Sequence, residues 1–497
     1  MPGQTNDYSN VRLSKSLEEN VRLFKDIFKN DAILRTKEVN VSGEYCFDCT
    51  LFYMDGMVNV TILNDSIVRP LLLVKSERTE SSLISYIANQ VLFASETKIT
   101  DKVDDILRAV LYGDTLLLID GCREAITINT KGWRTRGISE PEDERVLQGP
   151  REGFDEAALL NIAMIRRKLL TPDLNVEMLR AGRRSDTLIF ICYLGALADQ
   201  KVLGELKRRI NKIDIDGILD SNYIVEQIRD HKGSLFKTTG STERPDIVAA
   251  RLLEGRIAIV VDGTPVVVTV PYLFSENFQS DEDYYLNYMV SSVGRLLRYI
   301  CFFFAISIPA IFIAAATFHK ELLPTSLALT VTQLRGGVPF SALTECLVLI
   351  LIFEILKETG VRMPQSLGHA LSIVGGLVVG QAAVEARIIS APMLIVIALS
   401  GISGLMIPRL KGAVFYIRLG LVFMSAFFGI YGYIAGLTFV IIRILSLSSF
   451  GISYTVSLSR ADLQSLKDSL WRAPWRRMKL RPLFNRNITR IGDEPKR

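Results

Sequence analysis

The chain has 497 residues, 49% of them hydrophobic and 22% charged, with a formal net charge of +5. Three His exclude most His-based metal sites and argue against a His-centred catalytic apparatus, and six scattered Cys exclude a disulfide scaffold. The net charge conceals an uneven spread: residues 1–298 carry −6, 299–459 carry +4 and 460–497 carry +7, a pattern of soluble part, charge-poor part and basic tail rather than of a nucleic-acid binder.

Residues 1–29 form a polar extension of mixed charge, with no leader-like apolar run. The soluble half that follows is expected to stay in the cytoplasm. Cys46 and Cys49 make a lone CxxC in a β-rich run, where residues three apart face opposite sides of a sheet, so no metal site is expected. Residues 115–128 and 257–270 each read as strand, Asp-Gly turn, strand. Gly113, Asp120, Gly121 and Thr127 match Gly255, Asp262, Gly263 and Thr269 at one constant offset of 142. Residues 49–56 and 187–195 are similar strand ends, and helical patterns lie over 203–211 and 246–254, the second with Pro245 at its start. These features predict two related α/β subdomains, 30–148 and 149–290. Asp214, Asp216 and Gly217 fail the spacing of a calcium loop. Arg166–Lys168, Arg183 and Arg184 read as solvated or interface charges. No nucleotide-binding loop, nucleophile elbow or zincin motif is present, so neither an enzyme nor a cofactor is expected.

Residues 291–459 read as a multi-pass α-helical membrane domain. Charge-free runs over 299–318, 388–407 and 419–442 have spanning length, and 367–383 is a fourth, rich in small residues. Residues 341–356 carry Glu345 and Glu354, and are expected not to cross fully. The basic tail 460–497, with Trp471 and Trp475 beside Arg, belongs on the cytoplasmic side with the soluble half, which favours four crossings. That count leaves Arg409 and Lys411 outside, against the usual charge bias. Glu345 and Glu354 are nine residues apart and point to opposite sides of a helix; one is assigned to an interhelical pair and the other to an interface. On a helix over 367–385, Leu371, Val374, Val378, Gln381 and Glu385 fall on one stripe, and Ser372, Gly376 and Gly380 form a close-packing ladder on the other side. A ring of that stripe would make a narrow apolar constriction with a polar mouth suited to cations. Gly432 and Gly436 are a second close-packing pair.

The stretches 149–156 (GPREGFDE), 182–187 (GRRSDT), 243–271, 278–285 (FQSDEDYY), 337–340 (GVPF), 360–386, 427–437 and 447–454 (LSSFGISY) resemble the A subunit of the GerA-type spore germinant receptors. The resemblance covers most of 149–455. It implies an inner-membrane protein of the dormant spore, responding to nutrients beside a transporter-like B subunit and a lipoprotein C subunit. It also implies a homo-oligomeric cation channel, with a pentamer favoured, whose opening acts early in germination. The rival readings are a non-conducting scaffold that docks the other subunits, and a transporter.

Overall fold

A computed structural model of the chain describes residues 8, 10–41, 47–74, 83–94, 96–132, 144, 148–362, 380–456, 467–478 and 481. The soluble half contains two five-stranded antiparallel sheets. The first is built from β1 (Leu34–Val41), β2 (Phe47–Met54), β3 (Thr97–Thr100), β4 (Thr115–Ile119) and β5 (Ala125–Ile128), in the order β1-β2-β4-β5-β3. The second is built from β6 (Leu174–Ala181), β7 (Thr187–Leu194), β8 (Gly240–Thr242), β9 (Ile257–Val261) and β10 (Val267–Val270), in the order β6-β7-β9-β10-β8. The two orders are one topology used twice. Register repeats as well: Leu34 faces Met54 in the first pair, and Leu174 faces Leu194 in the second.

The helices repeat with the strands. Each sheet is preceded by one helix, α1 (Leu17–Ile27) or α3 (Ala158–Lys168), and carries a second, α2 (Val103–Leu111) or α6 (Pro245–Leu253). The Asp-Gly turns explain the matched sequence positions. Asp120 Oδ1 accepts from the Leu17 amide at 3.1 Å, and Asp262 Oδ1 from the Ala158 amide at 3.0 Å. Each carboxylate thereby satisfies an orphan donor at the start of the preceding helix. Gly121 and Gly263 follow at φ +79° and +91°, which favours glycine. Asn20 and Asn161 each clasp the chain entering their helix through both ends of the amide. Helix α1 lies inside the polar extension of the sequence, yet Phe24 is buried against Phe52 of β2.

β4 and β9 are buried along their whole length. Both faces of each sheet are covered, which is why their sequences run apolar without alternation. Phe52, Leu116 and Leu118 of one sheet and Phe190, Cys192 and Val260 of the other belong to a single core with α1, α2, α3 and α6. The outer face of the first sheet packs under helical turns at 60–72 and 83–91. That of the second packs under α4 (Gln200–Ile210) and α5 (Ser221–Ile228). Arg166 of α3 is fully buried and pairs with buried Asp31, just ahead of β1, at 2.5 Å. It is an interface charge that joins the two subdomains.

The helical half comprises α7 (Tyr288–Thr317), α8 (Thr325–Arg335), α9 (Ala342–Arg362), α10 (Ala391–Leu405) and α11 (Lys411–Leu445) among the described residues. Its helices present many large apolar side chains outward, such as Phe303, Leu351, Ile402, Phe427 and Phe439. Water disfavours such a surface and lipid does not. Two segments are long and apolar enough to cross a membrane, Tyr288–Thr317 and Pro408–Leu445.

The second of these is not one rod. Gly429 adopts φ 60° and ψ −141°, outside the helical region. A Cβ on Gly436 would lie 2.8 Å from the Leu421 side chain, and one on Gly432 would overlap the Met424 carbonyl oxygen. Residues fifteen apart in a straight helix are separated by about 22 Å. The arms 411–428 and 430–445 therefore fold back on each other, with Gly432 and Gly436 as the notches that let them touch. The turn meets the far end of α7, where Gly429 approaches His319.

This fold-back corrects the expected topology. The run 419–442 is two arms, not one crossing. Of residues 341–356, all but Ser341 sit in the continuous helix α9, whose early residue Glu345 meets Ser390 and whose late residue Glu358 lies 4.0 Å from Lys411. Both ends of α11 therefore lie at the same end of this half, by Arg409 at one and Ser449 at the other. Arg409 and Lys411 lie on the side of the soluble half, not opposite it.

Candidate functional site

Two places in the helical half gather polar chemistry. The first is inside the bundle. The Glu345 side chain is buried, accepts from the Ser390 hydroxyl at 2.7 Å and lies 3.6 Å from Arg335. Arg418, on the first arm of α11, reaches Glu354 of α9 at 3.2 Å, and Ser400 of α10 donates to the Ala305 carbonyl of α7 beside it at 2.8 Å. Both glutamates thus have partners on other elements, and neither is left at an interface alone. Such pairing is the usual fate of charge at membrane depth.

Of the predicted stripe, Leu371, Val374 and Val378 lie outside the described residues, as do Ser372 and Gly376 of the ladder. The described end begins at Gly380. Gly380 is buried, and a Cβ there would meet Leu394 of α10 at 3.4 Å. Gln381 and Glu385 are exposed and hydrogen-bonded to each other at 2.9 Å.

The second place is the junction with the soluble half. Two short helical turns, Phe274–Phe278 and Asp281–Tyr284, form an elbow between β10 and α7. Glu276 is buried there, 2.6 Å from Arg256, and accepts from the Leu273 amide at 2.6 Å. Arg409, from the turn before α11, donates to the carbonyls of Glu276 and Gln279 at 3.1 and 3.2 Å. It also lies 3.3 Å from Asp281 and 3.6 Å from Glu144, in the stretch between the two subdomains. Buried Asp283 holds Arg295 and Arg298 at 3.1 and 3.0 Å. These pairs keep the cations at the base of α7 from standing unpaired as they leave water.

The other end of α11 is tied down as firmly. The strands β11 (Ser448–Ser449) and β12 (Ile452–Ser453) are joined by Phe450 and Gly451, both at positive φ (52° and 78°), as in a type I′ hairpin turn. Phenylalanine is a poor residue for that conformation, but its ring is buried among the side chains of α4 and α5, with Arg209 4.6 Å above it. Ser449 accepts from the Tyr272 amide and donates to the Thr238 carbonyl. Tyr454 accepts from the Phe274 amide and from Asn277. Sequence reasoning marked 447–454 as a motif without a role; Gly451 was the available signal of a turn, and Phe450 at positive φ gave none.

The tail folds onto this elbow. Asp468 meets Arg295 at 3.2 Å and Tyr284 at 2.9 Å, and Arg472 donates to the Leu286 carbonyl at 2.7 Å. Trp475 packs 6.0 Å from the Tyr284 ring. A cleft of about 720 Å³ opens between α6, the elbow, Arg409 and this tail. Elsewhere, burial pushes the Cys49 thiol up to about 12, and it donates to the Val39 carbonyl at 3.3 Å. Asp214 is engaged by Arg183.

The chain matches the model of the family described as Bacillus/Clostridium GerA spore germination protein over residues 22–484. It is 39% identical to spore germination protein KA of Bacillus subtilis over 94% of this chain and 86% of that one. It is 38% identical to a Bacillus subtilis protein called an uncharacterized membrane protein, YfkQ, over 87% and 84% of the two chains. It is 32% identical to spore germination protein GerLA of Bacillus cereus over 95% and 96%. Among solved structures it resembles the N-terminal domain of the A subunit of the Bacillus megaterium germinant receptor GerK3, at 30% identity and a TM-score of 0.43, over 53% of this chain and 98% of that one. The chain belongs to the GerA family of spore germination proteins.

Proposed function

We propose that this GerA-family chain is the A subunit of a nutrient-responsive receptor in the spore inner membrane, and that several copies form a cation channel whose opening triggers germination. The observation that carries this reading is the outward-facing pair Gln381 and Glu385, at the end of a segment whose Gly380 packs inward on Leu394. Glu345 and Glu354 are committed inside the protomer; this pair faces out. An amide and a carboxylate facing outward from a membrane helix call for water or a neighbouring polar surface. Copies arranged about an axis, five in the favoured arrangement, supply both. Glu385 then forms an acidic mouth that concentrates cations, and Val374 and Val378 form the dewetting constriction. The soluble half, the Arg409 turn and the tail face the cytoplasm. The transporter-like B subunit and the lipoprotein C subunit are its partners, and the chain performs no bond chemistry of its own.

A non-conducting scaffold is the second reading. It is favoured by the links from Arg418 to Glu354 and Ser400, which tie three helices together within the protomer, as a rigid support would. Planar bilayers holding the purified protein separate the two. A channel passes cations, loses current in Val374→Trp and Val378→Trp, and loses cation preference in Glu385→Gln. An assembled, well-folded protein that passes no current is a scaffold.

A further inference from the structure

The cleft at the junction has a composition that the channel reading does not use. It lies at the level where α7, α10 and α11 meet the soluble half: Tyr284 and Tyr285 stand just before α7, and Arg409 just before α11. Its four carboxylates are already engaged. Asp246 holds Arg244, Glu254 and Glu276 hold Arg256, and Asp281 holds Arg409. The tail adds Arg476 and Arg481 to the lining with no further acid. Trp475, about half exposed at 52%, forms part of the wall. On the first turns of α7, Met289, Val290, Val293 and Leu297 are exposed, so the apolar surface of the helices extends down toward the cleft.

We propose that this cleft is a binding site for the phosphate headgroup of an anionic phospholipid. Arg476 supplies the positive charge that pairs with the phosphodiester. Trp475 sits at headgroup depth, where indole rings accumulate, and the exposed stripe of α7 accompanies the acyl chains. A volume of about 720 Å³ accommodates a headgroup and leaves the chains outside. The bound lipid bridges α6, the elbow and the tail, and fastens the tail onto the base of α7.

The test uses the full chain in neutral detergent, with Trp133→Phe and Trp471→Phe leaving Trp475 as the single indole of the three in the sequence. Its emission is titrated with phosphatidylglycerol in mixed micelles, with phosphatidylcholine, and with inorganic phosphate. The expected result is a saturable shift with phosphatidylglycerol and none with the other two. Arg476→Gln weakens that response about fivefold, the effect of one basic residue near an anionic surface. Arg476→Lys retains most of it, and Arg180→Gln, exposed on β6, leaves it unchanged. Equal responses to both lipids, or a phosphatidylglycerol response indifferent to Arg476→Gln, overturn the proposal. Saturation by inorganic phosphate that the lipid does not exceed assigns the site to the free anion and overturns it too. Loss of binding in Arg476→Lys as severe as in Arg476→Gln makes the position structural and likewise overturns the proposal.

Discussion

The two subdomains share one topology, one pair of capping aspartates and one pair of asparagine clasps, yet apart from the Arg409 contact with Glu144 the attachments to the helices described above come from the second. At the offset of 142 that relates them, Arg251, Arg256 and Tyr272 of the second correspond to Ala109, Asp114 and Thr130 of the first. Arg256 meets Glu276 of the elbow, whereas Asp114 pairs locally with Lys131 at 2.7 Å. Duplication supplied two copies of a stable sheet-and-helix unit. Arg251 in α6, Arg256 just before β9 and Tyr272 just after β10 make the second copy the docking platform.

Several measurements break or sharpen this contrast. The largest effect is expected from Glu276→Ala, which leaves Arg256 buried without its main partner. Breaking a buried pair in this way costs about 3–5 kcal/mol, and hydrogen exchange of the elbow and the base of α7 rises accordingly. The counterpart change, Asp114→Ala, should cost only about 1 kcal/mol, because its pair is partly exposed. Equal losses at the two positions would show that the second subdomain has no special role. Next is Phe450→Ala, which removes a buried ring from beneath α4 and α5. A loss of about 3 kcal/mol is expected, read as faster exchange in α4 and α5 with α1 and α2 unchanged. Smaller still are Asp120→Ala and Asp262→Ala, each expected to cost about 1 kcal/mol through a lost helix cap. Here the two subdomains should respond alike in denaturant titrations, and a clear inequality would break the structural equivalence.

The smallest effect is one of pH. Hydrogen bonds from Arg208 and Arg209 hold the Glu205 carboxyl down at about 2. Its folded value is depressed, so its contribution is present above the ordinary carboxylate range and is lost as pH falls toward 2. Glu205→Gln should lower the stability of α4 slightly at neutral pH, where the contribution is present, and flatten its dependence on pH below about 4.5, so that the two proteins converge toward pH 2.

Much of the soluble half was legible because its signals are local. An Asp-Gly turn demands positive φ, Pro245 opens α6, and a constant offset survives only where two chains keep one register. The helical half was legible in kind but not in path. An apolar run gives the same composition whether it is one rod or two arms, so the fold-back at Gly429 was invisible, and the reading of 419–442 as one crossing and the placement of Arg409 and Lys411 failed with it. The charge bias of those two residues already stood against the four-crossing count. The partners of Glu345 and Glu354 were equally hidden, since Ser390 and Arg418 reach them from helices distant in sequence.

The reversal at Gly429 also has a mechanical meaning. With Arg409 planted at one foot and Phe450 at the other, α11 is a staple driven into a single platform rather than a pole passing between two compartments. A tilt of that platform cannot drive such a staple like a piston. It shears one leg past the other along the glycine notches, and the displacement is delivered at the crown, beside His319, on the face most distant from where the force began.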